Sequence, residues 1–341
     1  MLVLGINDNH DSSAALAVDG RIVAAVGQER LDRVKNSSVF PWDAIDEVLR
    51  ITGYQRGDVD KVVFGSHFTP TAALRRFPAQ HQRAKASGGQ FNPLLNLYVC
   101  YQVGLLQSGA WRAEAAASRR LLQKRMNMHG FRARVTTTEH HESHAASAYY
   151  SQSRDTVLAL TVDAMGDGLS VTVNLGRNGK LRRLFSHTGL SAIITYYSRV
   201  TEFLGFRPLR HEGKVTGLAA YTEPPPELLE HFRRDLHFSR GGFNLKNYAR
   251  RHRMDDTFHT FLKPYSREEV ASACQRNLEF AVCDFVRHWV GKTGLRDLVL
   301  AGGLFANVKL NQRIHQLPEV DSIFVYPNMG DGGLAVGAAL L

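Results

Sequence analysis

The chain has 341 residues, 44% apolar and 22% charged, a balance that excludes a disordered or fibrous protein and, by length, predicts two domains or lobes. No apolar run reaches membrane-helix length, and Cys100, Cys274 and Cys283 lack paired or metal-type spacing, so a reduced, cytoplasmic protein is expected. The net charge of +10 favours anionic ligands, but the basic residues spread over Arg75–Lys85, Arg112–Arg134 and Arg233–Arg253. That spread reads as solvated helix faces and disfavours nucleic acid, although basic helices gathered in three dimensions would leave an RNA partner open.

Residues 1–30 read as a β-meander. Pro41–Thr52 predicts a helix with Trp42, Ile45, Val48 and Leu49 on one face, and Val59–Gly65 a strand. Residues 66–92 are basic, carry Gly88-Gly89, and read as a loop or mobile insertion. Leu94–Met128 reads as mostly helical, broken near Gly104 and Gly109. Arg132–Thr138 is a β-branched strand, and a helix follows over His140–Gln152. A second meander covers residues 156–187. Ile193–Leu204 reads as helix, and Arg210–Tyr221 as a glycine-containing loop with a short helix. Pro224-Pro-Pro226 opens a polar insertion lasting to about Pro264. Arg267–Lys292 is a long amphipathic helix that places Cys274 and Cys283 in the core. Leu298–Ala301 is a strand running into Gly302-Gly303, Asn307–Gln316 a helix, Ile323–Tyr326 a strand, and Gly332–Leu341 a small-residue helix.

The two meanders are copies. In each, an apolar strand ends in an Asp, a loop of small and polar residues follows, and two further strands flank a Gly-marked turn. Duplication implies two related lobes whose loops face each other across a cleft, where backbone N–H groups hold phosphates. The expected fold is α/β with mixed sheets. One lobe spans 1–154 with a helical insertion at about 66–130, the other 155–341 with an insertion at about 222–264.

His140 and His144 are four residues apart and share a helix face, so they suit one metal ion, or are simply the polar start of a helix. His141 and Glu142 project elsewhere. Asp331, in Asn328-Met-Gly-Asp-Gly-Gly333, either caps a helix or completes a two-His-one-carboxylate site. Gly302-Gly303 allows close approach to a flat ligand or merely ends a strand, and Asn307 lies within reach of a ribose or phosphate. In the first loop, Asp8-Asn-His10-Asp11-Ser12-Ser13, His10 is a candidate general base and Asp11 its partner or a metal ligand, against ordinary Asx-turn chemistry. Its counterpart is Asp163-Ala-Met-Gly166-Asp167-Gly168. His211-Glu212-Gly-Lys214 lacks the spacing of a Walker loop, yet Lys214 suits a phosphate.

LGINDNHDSSAALAVDGRIVAAVGQER, HHESHAASAYY, DAMGDG, HEGKVTGLAAY, AGGLFANVKLNQRI and NMGDGGLAVGAAL occur in that order. Together they resemble the N-terminal part of the O-carbamoyltransferases of nodulation-factor and antibiotic biosynthesis, itself similar to the transferase protein of tRNA threonylcarbamoylation. The resemblance covers essentially the whole chain and implies a duplicated actin/Hsp70-type (ribonuclease H-like) ATPase fold. It implies that ATP and carbamoyl phosphate form carbamoyl-adenylate, whose carbamoyl group passes to a hydroxyl of a sugar, antibiotic or other small molecule. It places Fe(II) or a similar divalent metal on His140, His144 and Asp331, and His10 beside the acceptor hydroxyl. Expected adenylate contacts are Ser12, Asp163, Gly166, Asp167, Gly168, Glu212, Lys214, Gly302, Gly303 and Asn307. Ala164 departs from the family's usual Gly.

Members of that family continue into a second, adenylate-forming domain. The chain is therefore expected to be a fragment, a split enzyme needing a partner domain or subunit, or a stand-alone homologue. A competing expectation is a nucleotide-binding subunit of a complex like that of tRNA threonylcarbamoylation. A third is a sugar-kinase-like ATPase, in which the His pair is out of place.

Overall fold

The computed structural model describes residues 1–76, 93–245 and 260–341. The Gly88-Gly89 stretch and residues 246–259 of the polar insertion lie outside the described residues. The duplication is visible in the sheets. Strands β1 (Leu2–Asn7), β2 (Ser13–Val18) and β3 (Arg21–Gly27) form an antiparallel meander, and β4 (Lys61–Phe64) and β5 (Arg134–Thr137) add in parallel beside β1, giving the order β3-β2-β1-β4-β5. The second sheet repeats this with β6 (Val157–Gly166), β7 (Leu169–Arg177), β8 (Lys180–Thr188), β11 (Asp297–Ala301) and β12 (Ser322–Val325), ordered β12-β11-β6-β7-β8. Between them in sequence, β9 (Leu236–Ser239) and β10 (Gly242–Leu245) make a separate hairpin inside the second insertion.

β1 is apolar throughout because it is covered on both faces. Leu2, Leu4 and Ile6 pack with Ile45 and Val48 of α2 (Trp42–Thr52) and with Leu122 and Met126 of α5 (Trp111–Met128). Val3 meets Ala335, Ala338 and Ala339 of the terminal helix, α12 (Leu334–Leu340). Burying each such Val, Leu or Ile contributes about 1.5–3 kcal/mol. The small residues of α12 are a packing requirement. A Cβ on Gly337 would sit 1.8 Å from the carbonyl oxygen of Ser143, so α12 can lie against α6 (His140–Tyr149) only with glycine there. α12 thus joins the first sheet to the helix that carries the paired histidines.

The second core is organised by α10 (Arg267–Thr293), which opens with a capping box: Ser266 Oγ accepts from Glu269 N and the Glu269 side chain accepts from Ser266 N. Leu278, Val282 and Phe285 on this helix pack with Leu158, Leu160 and Leu298, and Cys274 and Cys283 are buried there as expected. Burial pushes both thiols up, Cys283 to about 11, so neither is a reactive thiolate. Among the described residues no helix is long and apolar enough to cross a membrane.

Two expectations are corrected. The long helical stretch runs unbroken through Gly104 as α4 (Pro93–Ser108) and breaks only at Gly109-Ala110 before α5. Arg75, in the short helix α3 (Ala72–Arg76), is no part of a solvated face. It is buried, and its Nε and Nη2 donate to the two carboxylate oxygens of buried Asp8 at 2.9 and 3.0 Å, with further bonds to the carbonyls of His67 and Ser66. Basic charge in a sequence reads as surface until a buried carboxylate is brought to it.

Candidate metal centre

α6 begins where Glu139 accepts hydrogen bonds from the backbone N–H groups of His141 and Glu142. From that start His140 and His144 project from one face, with ring centroids 4.8 Å apart. Asp163 reaches them because β6 and β7 lose register between Val162 and Gly166, and the irregularity re-aims the strand-end side chain. A Cβ on Gly166 would lie 2.0 Å from Cγ of His140, so the His140 ring occupies the space a side chain would take there. Asp331 arrives from the loop before α12. That loop is fastened to the first lobe by Asn7 Nδ2, which donates to the Asp331 carbonyl at 2.9 Å, and by Ser13 Oγ, which donates to the Gly332 carbonyl at 2.9 Å.

The result is a buried cluster of four groups whose candidate ligand atoms all lie within 4.8 Å of one another. The Nε2 atoms of His140 and His144 are 3.2 Å apart, each is 3.3 Å from Asp163 Oδ2, and each is 3.5 Å from Asp331 Oδ1. Ligands bonded at about 2.1 Å to one tetrahedral or octahedral ion are separated from their neighbours by about 3.0–3.4 Å, so the spacing suits a single ion. Asp331 Oδ1 and His144 Nδ1 are buried without a hydrogen-bond partner, and the first of these atoms faces both imidazole nitrogens. An orphaned carboxylate oxygen aimed at two imidazoles is what a ligand oxygen leaves behind. Two His and two carboxylates suit iron, manganese or zinc alike.

The electrostatics agree. Burial and the neighbouring Asp331 push Asp163 up, but hydrogen bonds from His140 and His144 outweigh them and hold it at about 2. Asp331 is likewise held well below the usual range, against burial, by His10 and His140. Burial pushes His144 down, and Asp163 and Asp331 overcome it, leaving His144 at about 9. Two ionised buried carboxylates call for a cation, and in the metal-free chain a proton on His144 fills that role.

His10 stands at the rim, half exposed. Its Nδ1 is 3.1 Å from Asp11 Oδ2 and its Nε2 is 3.0 Å from Asp331 Oδ2. Asp11 is in turn held by Asn36 Nδ2, which donates to Oδ1 at 2.7 Å, and Asn7 Nδ2 also donates to the carbonyls of His10 and Asp11. The loop does contain the Asx-type bond, Asn9 N donating to Asn7 Oδ1 at 3.2 Å, and on that turn the His10 imidazole is held between Asp11 and Asp331.

The structure brings together His10, Asp11, His140, His144 and Asp331. Asp331 does not cap a helix; its carboxylate goes to the cluster. Asp163, expected on the adenylate, supplies the fourth corner, while its Oδ1 accepts from Ala164 N at 2.7 Å and Gly303 N at 3.4 Å. The carboxylate of Asp167 is taken by protein donors: His67 N, Phe68 N, Thr69 Oγ1 and His140 N, at 2.8–3.1 Å. It fixes the start of α6 and positions the ligands from behind. Gly168 N donates to Gln102 Oε1 at 3.2 Å. Ser12 Oγ donates to the Ser37 carbonyl.

The remaining residues gather in the second lobe. Asn307 caps α11 (Val308–His315), its Oδ1 accepting from Leu310 N at 3.0 Å, and its Nδ2 donates to Gln275 Oε1 at 2.8 Å. Glu212, at the start of α8 (Glu212–Leu218), accepts from Ser198 Oγ and Leu209 N. Exposed Lys214 lies with Nζ 5.6 Å from the Phe206 ring centroid. Gly302 lies against β6, where a Cβ would fall 2.3 Å from the Val162 carbonyl oxygen.

Sequence reasoning missed Ser66, whose Oγ is 3.0 Å from His140 Nδ1 and fixes which nitrogen faces the cluster, and Asn7, which ties three carbonyls together. Asn7 has a signal, as the polar end of a wholly apolar strand. Ser66 has none, because only the fold brings it across 74 positions. His141, expected to project elsewhere than the face shared by His140 and His144, is buried with Nδ1 2.8 Å from Thr161 Oγ1 and Nε2 3.1 Å from the Leu169 carbonyl. Burial keeps it neutral, at about 3, despite nearby Glu139.

Solved structures of the same architecture include component A of (R)-2-hydroxyglutaryl-CoA dehydratase from Acidaminococcus fermentans. It is 16% identical with TM-score 0.53, covering 100% of this chain and 96% of that one. Full-length HypF in its phosphate- and nucleotide-bound form is 11% identical with TM-score 0.56, covering 99% of this chain and 54% of that one. These likenesses establish the actin/Hsp70-type ATPase fold. Nodulation protein NolNO of Sinorhizobium fredii is 28% identical over 97% of this chain and 46% of its own length. The chain spans about half the length of the curated relatives it matches. The family described as carbamoyltransferase N-terminus matches residues 2–340, and with the whole fold and its buried centre within that match, this chain belongs to that family.

Proposed function

We propose that this chain carries the transfer step of an O-carbamoyltransferase, in which a carbamoyl group leaves carbamoyl-adenylate, made from ATP and carbamoyl phosphate, for a hydroxyl of a small molecule. The observation that carries this reading is the position of His10, with one nitrogen held by Asp11 and the other directed at the buried His140–His144–Asp163–Asp331 cluster. Those four residues would hold a divalent metal such as Fe(II), which when bound supplies positive charge against the phosphate of the departing AMP.

The chain's own residues supply the rest. Asp11 fixes the His10 ring and its tautomer, and Asn36 and Asn7 fix Asp11. With Nδ1–H kept on Asp11, His10 Nε2, once deprotonated and released from Asp331, accepts the proton of the acceptor hydroxyl as its oxygen bonds to the carbamoyl carbon. The bond from that carbon to the AMP phosphate oxygen breaks, and the electron pair leaves with AMP. The Gly302-Gly303 turn and Asn307 are assigned to the adenylate in this reading, which is supported by the bond from Gly303 N to Asp163 that ties the turn to the cluster. The donor is expected from an adenylate-forming partner domain or subunit.

The test supplies carbamoyl-adenylate generated by a separately produced adenylate-forming domain and follows carbamoyl ester formation on a panel of hydroxyl compounds by mass spectrometry. Ester formation that is lost in His10→Ala, with nucleotide binding retained, is expected. Equal turnover in His10→Ala removes His10 from the mechanism, and no ester on any acceptor sinks the reading.

A further inference from the structure

Between α3 and α5 the first lobe carries a groove of about 550 Å³. Its floor is apolar: Phe40, Trp42, Leu121 and Met128. Phe40 and Trp42 have centroids 4.5 Å apart, and His129 stacks on Trp42 at 3.8 Å, so the floor is rigid. Its walls are cationic, with Arg75 and Arg76 on α3 and Lys124 and Arg125 on α5. No acidic side chain lines it among the described residues.

The charges are unevenly matched. Arg75 is neutralised by Asp8. Arg125 lies with its guanidinium 4.8 Å from the Phe40 centroid and donates through Nη2 to the Arg75 carbonyl at 2.7 Å. Among the described residues no carboxylate lies within ion-pair distance of Arg125 or of exposed Lys124. Arg125 over the Phe40 ring and exposed Lys124, beside Arg76 and the Asp8-paired Arg75, suit a negative head joined to an apolar body. We infer that this groove is a binding site for an amphipathic organic anion, a carboxylate or phosphate carried on an apolar ring or chain. Arg75 connects it to the reaction side: the same guanidinium that lines the groove holds Asp8, two positions before His10, and the carbonyl of Ser66, whose hydroxyl touches His140. The inference does not depend on the carbamoyl-transfer reading.

The probe is 8-anilinonaphthalene-1-sulfonate, an amphipathic anion with a fluorescence readout, against its uncharged analogue N-phenyl-1-naphthylamine. Saturable binding of the anion at one site is expected, weakened about tenfold by Arg125→Met and by Lys124→Glu, since a charge-assisted contact is lost in each. Lys124 is exposed, so that variant folds even if Arg125→Met does not. The uncharged analogue should bind more weakly and ignore Lys124→Glu. Displacement by 1-naphthoate or by 1-naphthyl phosphate identifies the head group. The inference is overturned by unchanged anion affinity in Lys124→Glu, by equal binding of the uncharged analogue, or by displacement with neither competitor. A His140→Ala chain should bind the probe as the wild type does, which separates this outcome from the fate of the metal centre.

Discussion

Gly166→Ala is the most discriminating substitution at the centre. Gly166 has ordinary negative-φ backbone, since it is absent from the left-handed positions, so alanine fits the chain locally. The conflict is with one side chain. The added Cβ would stand 2.0, 2.2 and 2.3 Å from Cγ, Cδ2 and Nδ1 of His140, where ordinary contacts begin near 3.4 Å. The ring must therefore move by more than an ångström, and it cannot simply rotate away, because Ser66 holds Nδ1 at 3.0 Å and the side chain is fully buried. Metal ligation tolerates about 0.2 Å, and loss of a supporting contact alone costs about 10–100-fold in affinity, so displacing a ligand should cost at least about 100-fold, or about 2.7 kcal/mol. The assay is competition for Fe(II), Mn(II) or Zn(II) against a chromophoric chelator, with circular dichroism to establish that the fold is kept. Affinity within threefold of wild type in a folded Gly166→Ala chain would refute both the cluster as a metal site and the role of Gly166 in shaping it.

Asp163→Asn should lower metal affinity by at least about tenfold with the fold intact, because it removes a charged corner of the cluster; a variant that loses nucleotide but holds metal normally would return Asp163 to the adenylate. Metal uptake should release a proton between pH 6.5 and 9, since His144 is raised from 6.5 to about 9 in the metal-free chain and must deprotonate to ligate; calorimetry in buffers of different ionisation enthalpy reads this directly, and no buffer dependence contradicts it. For the same reason, the metal-free chain holds the His144 contribution to stability fully below pH 6.5 and loses it as pH rises through 9. The contribution of Asp163 is present above pH 3.8 and lost as pH falls through about 2. Thermal unfolding of the metal-free chain across these windows checks both signs. Arg75→Met leaves Asp8 charged and buried, and should cost about 3–5 kcal/mol, with much of it recovered in Asp8→Asn/Arg75→Met; a drop in unfolding temperature that the double variant does not reverse would place the role of Arg75 elsewhere.

The duplicated meander, the order of the elements and the pairing of His140 with His144 are local properties, and they are legible in the chain. Apolar strands, Asp at strand ends and an i,i+4 spacing act over a few residues, so composition and periodicity report them directly. Asp331 and His10 were also nameable, each from a polar loop that an ordinary turn would not need. What the sequence leaves open is which of the many acidic strand-end residues turn inward together. Asp163 and Asp167 look alike in DAMGDG, yet a register shift aims the first into the cluster, while four donors from the first lobe and α6 occupy the second. Arg75 reads as surface charge until Asp8 meets it, and Ser66 reads as nothing until β4 is laid beside β5 and α6. Those assignments depend on distances between segments far apart in the chain. They are set by the tertiary packing, as is the nesting of the small residues of α12 against β1 and α6 that brings in Asp331.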